Sequence, residues 1–330
     1  MSASTPVAGA QVGSAWREVA RNPVVLAGVA AVLLFAVGNL LAPGFASYGS
    51  VMNILRVAAF LGVIAAGQTI VILAGGEGID LSVGKVATFA AIVVAQVSQG
   101  ANDRLLLAVV AAVVASAGIG LANGVGVAYL RIPPLVMTLG MVAVVQGIIR
   151  VYSGGQPEGR APAALAGVVN ARTVFGVRGS VWVWLLVAVV VIWLLRGTTF
   201  GRRVYALGAN RETAYLSAID VQRNLVVVYI TSSVFAALGG VMLLGFSGSA
   251  SISLADGYQL ISIAAVVIGG TTLAGGVGGY LGTVIGAVVL QALTSLLVAL
   301  NIAAAGRQVV NGVILIVLLS VYGRQRRLRQ

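Results

Sequence analysis

Few residues in this chain could do chemistry, and those few sit among apolar neighbours. The stretch GGEGIDLSVGKV, 75–86, sets Asp80 and Ser82 just beyond Gly75, Gly76 and Gly78, between two hydrophobic runs. Asn123, Thr138 and Gln146 are further uncharged polar groups in apolar surroundings, with Asn53 and Gln68 as weaker candidates. Hydroxyl and amide groups can both donate and accept hydrogen bonds. Polar residues at membrane depth are costly and often functional, so these five are the candidates for a substrate pathway. Each could equally satisfy backbone freed where a helix breaks.

Other chemistry is excluded by what is missing. With no cysteine and no histidine, thiolate metal sites, cysteine nucleophiles and imidazole acid–base catalysis are unavailable. No convincing pair of carboxylates replaces them, so an enzyme is a poor reading. The Gly84-Lys85 pair mimics a phosphate-binding loop, but five residues separate it from Gly78 and Val86 stands where a hydroxyl is needed. Any ATP hydrolysis therefore belongs to another chain. Asp80 and Asp256 are the only acids suited to ion coupling, which an ion-driven secondary transporter would require.

The elements that must position these residues follow from composition. Hydrophobic residues make up 59% of the 330, charged residues 8%, and the mean hydropathy is +1.05. Such a chain needs lipid as solvent. Apolar runs at 24–42, 54–74, 83–99, 105–129, 134–152, 181–195, 225–246, 259–270, 281–300 and 309–322 are mostly long enough for helical crossings. They lack the alternation of a transmembrane barrel. The expected fold is an all-α polytopic membrane protein of about ten transmembrane helices, with broken or re-entrant glycine-rich segments at 75–84 and 269–279. It would comprise a tail at 1–22, one transmembrane domain at 23–323 and a basic tail at 324–330.

Orientation rests on arginines. Arg17 and Arg21, then Arg202, Arg203, Arg211 and Arg223, then Arg324, Arg326, Arg327 and Arg329 form three clusters separated by six and four runs. All three belong on the cytoplasmic side, which makes both termini cytoplasmic. The loop 153–180 then falls outside, although Arg160, Arg172 and Arg178 outnumber Glu158 there. The net charge of +12 fits topology and contact with anionic lipid rather than nucleic acid.

The longest polar interruption, 198–224, reads as a cytoplasmic loop containing one short helix. Asn210 can cap it, Glu212 lies in its first turn, and Ala214, Tyr215, Leu216, Ala218 and Ile219 give it a docking face. A repeat at an offset of 194 would match Gly75-Gly76 to Gly269-Gly270 and Gly84 to Gly278. Small residues every four positions, Ser116, Gly120 and Gly124, then Gly278, Gly282 and Gly286, permit close helix crossings.

Taken together, five ordered segments resemble the permease subunits of bacterial ABC importers for simple sugars, the ribose-type family. They are GIDLSVG at 78–84, ANGVGVAYLRIPPLVMTLG at 122–140, FGRRVYALGANRETAYLSAI at 200–219, IAAVVIGGTTLAGGVGGYLGTVIGA at 263–287, and the stretch 308–312. The resemblance implies a subunit that pairs with a second permease and receives a sugar from an extracytoplasmic sugar-binding protein in the bacterial inner membrane. It would bind no cofactor, ATP and magnesium belonging to partner ABC ATPase subunits. By resemblance, Gly201, Arg202, Arg203, Tyr205, Gly208, Asn210, Glu212, Ala214, Tyr215, Ser217 and Ile219 form the coupling loop that meets the ATPase.

The chain departs from the family pattern at several points. The family usually has alanine and glycine where Thr213 and Ala218 stand, and often acids where Gln259 and Ser262 stand. An arginine common near Gln146 is also missing. Branched-chain amino-acid permeases are more distant relatives of similar layout.

Overall fold

The computed structural model describes residues 23–325. Among these, the regular elements are helices: α1 (Pro23–Leu41), α2 (Tyr48–Leu73), α3 (Val83–Ser98), α4 (Leu105–Ala128), α5 (Pro134–Ser153), α6 (Ala163–Asn170), α7 (Gly179–Gly197), α8 (Thr199–Ala209), α9 (Arg211–Leu216), α10 (Val221–Ser247), α11 (Tyr258–Ile268), α12 (Tyr280–Ala299) and α13 (Ala304–Gln325). The ten expected hydrophobic runs fall on α1 to α5, α7 and α10 to α13. Among the described residues, seven helices, α1, α2, α4, α5, α7, α10 and α12, are long and apolar enough to cross a membrane. The apolar α3 and α11, of 16 and 11 residues, are shorter. The expected tail at 1–22 lies outside the described residues, as does most of 324–330, whereas α13 runs on to Gln325.

Local signals set the ends. Ser47 accepts from the Ser50 amide and caps α2, and Pro134 opens α5 where its missing amide hydrogen costs nothing. Gly154 and Gly248, both at positive φ, close α5 and α10.

The centre is α10, which packs against α2, α3 and α4. Glycines make this contact possible. A side chain at Gly240 would run into the Ala87 carbonyl of α3, one at Gly124 would meet Val226, and one at Gly120 would sit 2.6 Å from the Tyr229 carbonyl. The small-residue stripe of α4 is thus a seam with α10 inside the protomer. On α12, Gly282 and Gly286 face Gly269 and Ala265 beside α11, whereas Gly278 belongs to the preceding turn, against Thr271.

The two glycine-rich interruptions exist as expected. Between α2 and α3 the chain makes turns through 74–82, and Gly75, Gly78 and Asp80 are buried. Between α11 and α12 it does the same through 269–279. Their spatial relation corrects the repeat register. Gly75 touches Gly275, and the Gly276 amide donates to the Leu73 carbonyl at 3.0 Å. The matching stretches are Leu73-Ala74-Gly75-Gly76-x-Gly78-x-x-Leu81 and Leu273-Ala274-Gly275-Gly276-x-Gly278-x-x-Leu281, an offset of 200 rather than 194. Both glycine pairs carry positive φ (70° and 64°, 91° and 71°), so the two turns share backbone shape as well as sequence.

Candidate functional site

Two connected layers bring the polar residues together. The first is the junction where the 198–217 segment meets both glycine turns. This segment is two helices rather than the expected one, because Asn210 adopts extended backbone (φ −164°, ψ 115°) between α8 and α9. The cap is as the sequence suggests: Asn210 Oδ1 accepts from the Glu212 and Thr213 amides at 2.9 and 3.1 Å. Thr198 caps α8 in the same way, accepting from the Gly201 amide at 3.2 Å. Gly201 lies so close to the Leu195 carbonyl that no larger residue fits.

α8 and α9 grip the two turns at three points. Gly208 lies against Leu73, Gly275 and Gly276, where a side chain would collide with backbone. The Tyr205 hydroxyl donates to the Gly278 carbonyl at 3.0 Å, and Arg211 Nη2 donates to the Gly75 carbonyl at 3.1 Å. The Arg211 guanidinium also covers Gly76, where a side chain would collide with it. Burial pushes the Tyr205 hydroxyl up and the Arg211 guanidinium down from their ordinary values; nearby Arg196 opposes the first shift and Tyr229 the second. The opposite face is open. Arg202, Arg203, Asn210, Glu212 and Ser217 are exposed, and Tyr215 and Leu216 present 68% and 79% of their surface, while Ala214 is buried and Ile219 half-buried.

Ala218 closes α9 at φ 59°, and the next amide, of Ile219, donates back to the Ala214 carbonyl at 3.1 Å. A left-handed residue after a helix is usually glycine, which explains the glycine common in the resembled family. Ala218→Gly should stabilise the protein by about 1 kcal/mol, since alanine pays roughly 1–2 kcal/mol for this conformation and glycine loses some unfolded-state entropy. The thermal unfolding midpoint of the purified chain should rise; a fall would remove this account.

The second layer lies beneath. Asp80 is fully buried and accepts from the Ser82 amide at 2.9 Å, the Ser82 hydroxyl at 2.6 Å and the Ser232 hydroxyl at 2.9 Å. Asn123 Nδ2 donates to Ser82 Oγ at 3.0 Å. Thr138 donates to the carbonyls of Ile79, in the broken segment, and Pro134 at 3.1 and 2.9 Å. Tyr229, also buried, lies three residues before Ser232 on α10, with its backbone against Gly120 of α4.

Four of the five expected pathway residues are therefore brought together, and each is fully buried. In this conformation they hold the broken segment 74–82 to α4, α5 and α10 rather than line an open path. Gln146 is half-buried two turns along α5 from Thr138, apart from the cluster. Sequence reasoning missed Ser232 and Tyr229, ordinary residues in a long apolar helix. It also missed the partner of Asp256, whose Oδ1 lies 2.7 Å from Lys85 Nζ, the lysine being 8% and the aspartate 44% exposed in their side chains. Lys85 and Asp256 stand 171 positions apart, and nothing local to either marks the pair.

The sequence is similar to those of known proteins. The profile of the family described as "Branched-chain amino acid transport system / permease component" matches residues 50–319. The ribose import permease protein RbsC of Escherichia coli (strain K12) is 34% identical over 301 residues, 90% of this chain and 93% of the relative. The protein of that name from Bacillus subtilis (strain 168) is 33% identical over 286 residues, 86% and 88% of the two chains. The autoinducer 2 import system permease protein LsrC of Escherichia coli O9:H4 (strain HS) is 32% identical over 308 residues, 93% and 89%. No solved structure matches. With a family profile over most of its length and relatives covered almost end to end, the chain belongs to this family of transport-system permease components, which carry solutes rather than catalyse reactions.

Proposed function

We propose that this chain is the transmembrane permease subunit of an ATP-driven ABC importer, a multi-pass protein of the bacterial inner membrane that moves a simple sugar or related polyol. The names of its relatives, import permeases for ribose and autoinducer 2, support that substrate class over a branched-chain amino acid. Its partners are ABC ATPase subunits that hold ATP and magnesium, an extracytoplasmic sugar-binding protein and a second permease subunit. About ten segments enter the bilayer, with both termini cytoplasmic.

The observation that carries the reading is the junction of α8 and α9 with both glycine turns. One face of this helix pair offers Tyr215 and Leu216 to a partner; the other grips the turns through Tyr205, Gly208 and Arg211. ATPase closure pushes on α9, the two turns move with it, and the packed bundles shift as bodies to change access across the membrane. An ion-driven mechanism is less well supported. Asp256 is already paired with Lys85, and Asp80 already accepts three hydrogen bonds.

The test is uptake into vesicles holding the chain with its ATPase and binding protein. Radiolabelled ribose should accumulate with ATP and stop without it. Tyr215→Asp should also strip the ATPase from the purified complex. Uptake sustained by an ion gradient alone would sink the importer reading.

A further inference from the structure

A cavity of about 490 Å³ opens between the α1–α2 corner and the last turns of α12. It lies far from the coupling helices. α2 has 26 residues, a length of about 39 Å, and Leu73 at its far end touches Gly208. Ser50 and Asn53, in its first two turns, therefore sit at the opposite face, the extracytoplasmic one in the orientation proposed above.

Its lining has a definite chemistry. Ser50 and Asn53 contribute from α2, and Gln291, Thr294 and Ser295 from one face of α12. These five groups are uncharged, and the lining carries no charged side chain. Phe45, Ile54 and Val298 supply an apolar wall, with Phe45 fixed against Phe35 at a ring-centroid separation of 5.8 Å. The polar groups are underused. Thr294 donates to the Leu290 carbonyl at 2.9 Å, Gln291 reaches only Ser295, at 3.4 Å, and Asn53 makes no side-chain hydrogen bond among the described residues. Amides and hydroxyls facing an apolar wall, in a volume within the roughly 300–1,000 Å³ of small-molecule sites, fit a ligand with hydroxyls on one side and C–H groups on the other.

We propose that this cavity binds a neutral polyhydroxylated group the size of a monosaccharide, with Asn53 and Gln291 as its principal hydrogen-bonding residues. Two sources supply that chemistry: a free sugar on the extracytoplasmic side, or the glycerol head of a lipid such as phosphatidylglycerol. The placement of the cavity rests on the importer reading; the binding chemistry does not.

The experiment uses the full chain in nanodiscs of phosphatidylcholine, with saturation-transfer NMR against ribose at millimolar concentrations. In a second arm, phosphatidylglycerol retained through purification is quantified by mass spectrometry. Asn53→Leu and Gln291→Leu should each weaken ribose binding about tenfold, the loss expected for one or two hydrogen bonds, while Asn53→Gln keeps most of it. Loss of retained phosphatidylglycerol in the two leucine variants, with no ribose binding by the wild type, supports the same site with a lipid ligand. Ribose binding and lipid retention both unchanged in folded leucine variants would overturn the proposal. ATP-driven uptake by the wild type, measured in parallel, separates the two claims, because its absence strikes the importer reading and leaves the binding result standing.

Discussion

Arg211→Ala should leave the ATPase bound and hydrolysing ATP while cutting sugar uptake by about tenfold or more. The side chain is half-buried and donates to the Gly75 carbonyl, whereas Tyr215 and Leu216 are exposed. A hydrogen bond from a charged group is worth roughly 1.5–3 kcal/mol, enough to move a two-state equilibrium by about 10- to 100-fold. Without it the helix pair still meets its partner but pulls less firmly on the 74–82 segment. Arg211→Lys should retain part of the coupling, since an ammonium can reach one carbonyl but cannot cover Gly76 as a planar fork does. Exposed Arg104→Ala, just before α4 and outside the coupling helices, is the matched control and should change uptake little. The measurement is sugar transported per ATP hydrolysed in proteoliposomes. A parallel fall of hydrolysis and uptake would assign Arg211 to docking, and an unchanged ratio would remove its role as a strut.

Asp80→Ala should destabilise the protein strongly. It leaves the Ser82 amide and the hydroxyls of Ser82 and Ser232 without an acceptor in a site closed to water. Unsatisfied buried donors cost about 1–3 kcal/mol each, and partial relaxation leaves a net loss of about 3–5 kcal/mol. Asp80→Asn keeps one oxygen as acceptor and should cost less. The thermal unfolding midpoint in detergent measures both. A stable Asp80→Ala protein that has lost only uptake would return this residue to the substrate pathway and refute the structural role argued here.

Much of this was legible in the sequence because membrane helices announce themselves by length and hydropathy. The ten runs predict the ends of α3, α4 and α5 within one residue, and Asn210 is the cap that its type and position indicate. The Gly75–Ser82 break was also visible, since glycines followed by an aspartate inside an apolar stretch have few other uses. What stayed hidden depends on residues far apart in the chain. Ser232 meets Asp80 across 152 positions, and Lys85 meets Asp256 across 171. A serine in a long apolar helix carries no local sign of such a partner. The repeat was misregistered because a search on paired glycines alone is easily satisfied. The flanking leucines and alanine fix the offset at 200, and the contact of Gly75 with Gly275 gives that match its meaning.

The long reach from Asp80 to Ser232 also bears on how the protein is made. Backbone and carboxylate at membrane depth cannot be left facing lipid, so the 74–82 segment is tolerable there only once its partners surround it. At a synthesis rate of roughly 5–20 residues per second, the ribosome needs about 8–30 s to deliver Ser232 after Asp80. During that interval the Asp80 carboxylate lacks its Ser232 partner, and the final packing of the 74–82 segment is completed only when α10 has been made.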